Sequence, residues 1–175
     1  MARLAPAQPS AEELAFRSHE GTSPPNLQLA VAHAADVARL QLELNRAAAA
    51  GMSLRQKELI ILLVGSLTNN AYCWGHHVPP ALAAGLSKAE IRAIRRGDHS
   101  MFPPKEQALL AYCSAMVEQK VTDDLWEAVG RERMSEELVK ITMLVGFYCM
   151  LGTVQAALDV AQDDGFGGFE QPLGG

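Results

Sequence analysis

The densest chemistry in the chain lies in Asn69–His77, "NNAYCWGHH", which holds a thiol, a phenol, an indole and two adjacent imidazoles. Such a set suits thiol redox chemistry, metal ligation or proton transfer, or it is simply a well-packed helix. Residues four apart share a helix face, so Cys73 aligns with His77 and Tyr72 with His76. Adjacent residues are rotated by about 100°, so the two histidines cannot face one point, and His76 is expected to look away from His77. A metal site needs three or more convergent ligands. No histidine or carboxylate stands four residues beyond either imidazole, and no metal is assigned.

A second group of interest is Glu58, in "ELIILLVGSL". Leu54, Leu62 and Gly65 fall near its face, which points the side chain inward. A buried carboxylate is costly unless paired, and burial raises its pKa toward the range of a proton-transfer group. If the following helix runs antiparallel, it brings His77 to Glu58. The plainer alternatives are a surface Glu58, a Cys73 that is only a small buried hydrophobe, and a Tyr72 and Trp74 that serve packing or wall an apolar pocket.

The elements that must position these groups are helical. Residues 26–50 contain no Gly or Pro and read as one helix stopped by Gly51. Ser53 and Gln56 form a capping box for a helix reaching about Asn69 or Asn70. The next helix carries the reactive segment and ends at Gly85, with a kink or break expected at Pro79 and Pro80. Ser87 and Glu90 cap a helix closed by Gly97. Further helices are expected at about 104–119, 123–132 and 135–162. No strand alternation is present, so the fold class is all-α. Residues 1–25 read as an arm with one short helix around Ser10 to His19, 26–162 as a single helical domain, and 163–175 as an irregular Gly-rich tail. The segments "YCWGHHVPPAL" and "YCMLGTVQAAL" share Y-C-x4-V-x2-A-L at an offset of 76, and "ELIILLVG" resembles "ELVKITMLVG" with a gap. Two related helical halves are one explanation and chance in an alanine- and leucine-rich chain is the other.

The chain has 175 residues, a net charge of -5 and 20% charged residues. Its acidity gives no support for a nucleic-acid partner. The apolar run "LIILLVGSL" is far shorter than a membrane span, and the N-terminus lacks a secretory signal. The three cysteines are widely spaced and lie in apolar stretches, unlike a disulfide framework. A cytoplasmic protein with no membrane partner is expected.

The block "LRQKELIILLVGSLTNNAYCWGHHVPPALAAGLSKAEIRAI" resembles the carboxymuconolactone decarboxylase family, which includes the alkylhydroperoxidase D-like proteins. The matching pattern is R-x-x-E-L through Glu58, then Y-x-W-x-x-H at Tyr72, Trp74 and His77. It closes with A-x-x-x-G-L-S-x-x-E-I at Ala81, Gly85, Leu86, Ser87, Glu90 and Ile91. The resemblance implies an alkylhydroperoxidase D-like helical bundle that assembles as a homo-oligomer, a trimer or hexamer. Its decarboxylase branch implies a cofactor-free acid–base enzyme acting on a small unsaturated lactone or carboxylate. Glu58 and His77 would be central, with Arg55, Asn70, Tyr72, Trp74 and His76 around the substrate. Arg55 would supply the cation for a carboxylate, and Tyr72 a hydrogen-bond donor. Its peroxidase branch implies thiol chemistry at Cys73, but Asn70 stands where that branch has the first cysteine of C-x-x-C. A third expectation is a non-enzymatic helical module for ligand binding or assembly.

Overall fold

A computed structural model of the chain describes residues 3–5, 7, 24–131 and 133–173. Eight helices follow one another among these residues. They are α1 (Asn26–Val31), α2 (Ala35–Ala49), α3 (Leu54–Leu67), α4 (Ala71–Ala83), α5 (Lys88–Arg96), α6 (Pro104–Val117), α7 (Asp123–Gly130) and α8 (Ser135–Ala157). A short 3₁₀ turn, Gly168–Glu170, lies in the C-terminal segment. The expected short helix around Ser10 to His19 falls outside the described residues.

Helix α3 is the axis of the bundle. The Ser53 hydroxyl accepts the Gln56 amide at its start, and every residue from Glu58 to Gly65 is buried. A helix apolar on all sides is stable only when surrounded, and α4, α5, α6 and α8 pack around it. Each fully buried Leu or Ile here contributes about 1.5–3 kcal/mol through removal from water. Gly65 lets the start of α4 approach closely: a Cβ there would sit 3.5 Å from the Trp74 backbone nitrogen and 3.6 Å from the Cys73 sulfur.

The turn between α3 and α4 is set by Asn69, in the left-handed region at φ 51°, and by Asn70, whose side chain accepts the Cys73 amide at 2.9 Å. Helix α4 then runs unbroken through Pro79 and Pro80. The expected break is absent, and both prolines lie on the exposed side of the helix. Helix α5 has the capping box at Ser87 and Glu90 and ends at Gly97, φ 70°.

Three other expectations are corrected. Residues 26–50 form two helices separated at Ala32–Ala34, which lets α1 turn toward α4. Helix α8 ends at Ala157 rather than near 162, because Asp159 adopts φ 51° and the chain turns back. The related sequence segments do not build two helical pairs. The first copy folds as α3, turn and α4, while the second lies within the continuous α8, where no Asn-Asn turn interrupts it. By length and apolarity α8 is also a candidate membrane span, yet its Leu138, Ile141, Leu144 and Val145 are buried in the same core as α3.

Candidate active site

Helices α3 and α4 bring Glu58 and His77 together. The His77 Nδ1 lies 2.7 Å from Glu58 Oε2, and Lys57 Nζ lies 3.0 Å from the other carboxylate oxygen. Glu58 is only 2% exposed. Burial pushes its carboxyl up, but the hydrogen bond and charge of His77, with Lys57, outweigh that and hold it below the ordinary range. The raised pKa expected from burial alone is therefore corrected: pairing wins over desolvation. An ionised Glu58 only accepts, so Nδ1 carries the proton of this bond, and Nε2 is the ring nitrogen left for a bound molecule.

His77 borders a cavity of about 270 Å³ whose polar lining includes Lys57, Asn70, Tyr72, Cys73, His76 and Tyr148, with Leu27, Leu42, Phe147 and Leu151 as apolar wall. The Tyr148 ring meets His77 edge-on at 5.3 Å. Burial, then the neighbouring Cys73 and Glu58, push its phenol well above the usual value, so it stays a neutral donor. Burial and the Glu58 charge likewise push the Cys73 thiol up. The thiolate that attacks peroxide is thus disfavoured at neutral pH, and all three cysteines are free. Among the described residues no three His, Cys, Asp or Glu side chains are grouped as metal ligands.

His76 faces elsewhere on α4, as its position one residue from His77 requires. Its Nε2 lies 2.8 Å from Asp163 Oδ2. Tyr72 donates its phenol proton to the same oxygen at 2.5 Å and accepts the Leu27 amide at 3.1 Å. Tyr72 is therefore not a free donor to substrate, because its one proton is already placed.

Two expected site residues lie away from the cavity. Arg55 binds Glu106 at 2.7 Å and Glu90 at 2.5 Å, which lowers the Glu90 carboxyl to about 2. It clamps α3 to α5 and α6, because position 55 precedes the buried stretch and faces those carboxylates. The cation at the cavity is Lys57, two residues on. Trp74 packs against Phe169 of the C-terminal segment, ring centroids 5.8 Å apart, rather than lining the cavity. Asn70 borders the cavity, but its side-chain oxygen caps α4. Lys57, Tyr148 and Asp163 were missed by sequence reading. Only Tyr148 carried a signal, through its match to Tyr72 in the repeated Y-C pattern.

The model of the carboxymuconolactone decarboxylase family matches residues 35–115, a span that includes Glu58, Cys73 and His77. No curated protein sequence matches the chain. Solved structures share the fold. An uncharacterised peroxidase-related protein from Silicibacter sp. TM1040 aligns with TM-score 0.79 at 13% identity, over 93% of this chain and 92% of that one. The alkylhydroperoxidase AhpD core of a peroxidase-related protein from Ralstonia eutropha JMP134 aligns with TM-score 0.75 at 16% identity, covering 87% and 84%.

Residues 35–115 thus resemble the carboxymuconolactone decarboxylase family, and the chain shares the alkylhydroperoxidase D-like fold.

Another solved structure of this fold is that of a named enzyme. The debrominase Bmp8, in a variant with one cysteine replaced by alanine and 2,3,4-tribromopyrrole bound, aligns with TM-score 0.70 at 18% identity, over 87% of this chain and 81% of that one. At such identity these likenesses carry the fold alone.

Proposed function

We propose that the chain is an acid–base enzyme of the decarboxylase type, acting on a small unsaturated lactone or carboxylate, with Glu58 and His77 as its proton-transfer couple. One observation carries this reading: the His77 imidazole is held at 2.7 Å by a carboxylate that is 2% exposed, and the same ring borders a cavity of about 270 Å³. Lys57 supplies the positive charge that attracts an anionic substrate. When the bond between substrate carbon and carboxylate breaks, CO2 leaves and the electron pair moves toward the lactone carbonyl. Tyr148 donates a hydrogen bond to the oxygen that gains charge. His77, which takes up a solvent proton at its free Nε2 before this step, then passes that proton to the carbon, while ionised Glu58 offsets the charge the ring carries in between. The aliphatic wall of Leu27, Leu42 and Leu151 suits departing CO2. The reading places the activity in this chain's own side chains, and a homo-oligomer in the cytoplasm remains part of the proposal.

A second reading, thiol-dependent peroxide or dehalogenation chemistry, is favoured by one fact: Cys73 borders the same cavity as His77. A single assay separates the two. Release of CO2 from a carboxymuconolactone-type substrate is expected to persist in Cys73→Ala and to fall by about 10²–10⁴ in His77→Ala. No CO2 release, together with peroxide reduction that Cys73→Ala abolishes, would replace the first reading with the second.

A further inference from the structure

Outside the Glu58–His77 couple, the most organised polar cluster is where the C-terminal segment meets α4. Asp163 accepts hydrogen bonds on both carboxylate oxygens. Oδ1 takes the Asn26 backbone amide at 2.8 Å, and Oδ2 takes the Tyr72 hydroxyl and faces His76 Nε2. The His76 ring is stacked between Tyr72 and Phe166, with centroids 4.5 and 4.0 Å away. It borders the inner cavity on one side and, on the other, an outer cleft of about 620 Å³ shared with Asp163 and Phe166.

The segment is held there by shape. Gly75 has no side chain because a Cβ would lie 2.7 Å from the Gln162 side-chain nitrogen and 2.9 Å from the Gly168 amide. Phe169 packs on Trp74, and the Arg95 guanidinium lies 3.8 Å over the Phe169 ring. These contacts fix where the Asp163 carboxylate sits.

We propose that Asp163 is a positioning residue of the site, which holds His76 in the Nε2–H tautomer while Glu58 holds His77 in the Nδ1–H tautomer. The chemistry follows from the acceptors. Both Asp163 oxygens already accept, so the proton between Oδ2 and His76 belongs to the ring. His76 then keeps a lone pair on Nδ1, whereas His77 keeps one on Nε2. Two adjacent imidazoles of one helix thus present opposite nitrogens as bases. Burial pushes His76 below its ordinary range, against the pull of Asp163 and with a contribution from His77, so the ring is neutral and has a tautomer to be set. The groups that face it are Asp163 and Phe166 from the C-terminal segment, and Tyr72 and His77 from its own helix. The inference rests on the proposed function only for the kinetic half of its test.

Long-range nitrogen–proton NMR correlations on the full chain read both tautomers directly. Asp163→Ala is expected to convert His76 to a mixture of tautomers and leave His77 unchanged, and Asp163→Glu to restore part of the Nε2–H form. Gly75→Ala, which displaces the segment without touching the carboxylate, should give the same His76 signature. On a turned-over substrate, Asp163→Ala should lower kcat about tenfold with little change in KM. The proposal is overturned if wild-type His76 is the Nδ1–H tautomer, if neither variant changes it, or if His76 and His77 change together. If His77→Ala proves harmless to turnover while Asp163→Ala still alters His76 alone, the proposed function fails and this inference stands.

Discussion

His76 and His77 are neighbours on one helix, each paired with a carboxylate, yet the two pairs are assembled in different ways. Glu58 and His77 come from consecutive helices joined by a three-residue turn, and the carboxylate is sealed in the core. Asp163 and His76 are 87 residues apart in sequence, and the carboxylate arrives on an irregular stretch before the 3₁₀ turn, in the segment that lies over the outside of α4. A couple rooted in the core can hold a charge out of water because Lys57 and His77 both compensate it. A couple closed by a surface segment is adjustable, since its geometry depends on contacts worth much less than a buried helix interface. The first suits the bond-making step and the second suits setting the shape and polarity around it.

That contrast can be broken at its strongest point first. His77→Ala should cost about 10²–10⁴ in turnover, and His76→Ala about tenfold. A larger loss from His76→Ala, measured as kcat, would invert the roles of the two rings. Stability gives the next largest effect. Removing one partner of a buried pair costs about 3 kcal/mol, so His77→Ala, which leaves Glu58 with Lys57 alone, should lower the urea midpoint clearly more than His76→Ala.

The pH dependence carries the same asymmetry. The Glu58 pKa is lower in the fold than in the unfolded chain, so its stabilisation is fully present above the unfolded value of about 4.3. It is lost as pH falls through the folded value. Thermal melts of the wild type should therefore weaken below about pH 4, and Glu58→Gln should flatten that part of the curve. An unchanged acid limb in Glu58→Gln would contradict an ionised, paired Glu58.

A smaller effect sharpens the other half. Phe169→Ala should cost about 1–2 kcal/mol through lost packing on Trp74 and Arg95, with turnover reduced only a few-fold and the Glu58 couple untouched. The smallest is Arg55→Ala. It should lower the melting temperature by a few degrees and let Glu90 titrate nearer its ordinary value, while kcat at a temperature that keeps the fold is unchanged. A selective loss of substrate affinity in Arg55→Ala would restore Arg55 to the site.

The same contrast explains what was legible in the residues. Helix starts at Ser53 and Ser87, stops at Gly85 and Gly97, and the inward face of Glu58 are local patterns, readable from spacing of about one helical turn. The Glu58–His77 meeting needed only one further step, an antiparallel neighbour. Asp163 gave no such signal, because an aspartate in "DVAQDDGFGG" has the composition of an exposed tail. Its role depends on Asp159 turning the chain and on Gly75 leaving room, two facts that exist only in three dimensions. Arg55 and Lys57 differ by two positions on one helix, about 200° apart, and sequence nearness to Glu58 could not say which faced the cavity. Burial of Glu58 was legible while its ionisation was not, since the sign depended on Lys57 and His77 together outweighing desolvation.

The most direct test of the account is the rate of CO2 release from a carboxymuconolactone-type substrate in wild type, His77→Ala and Cys73→Ala under the same conditions. A fall of at least about a hundredfold in His77→Ala, with release preserved in Cys73→Ala, is the expected result. Release that survives loss of His77, or that disappears with Cys73, would contradict it.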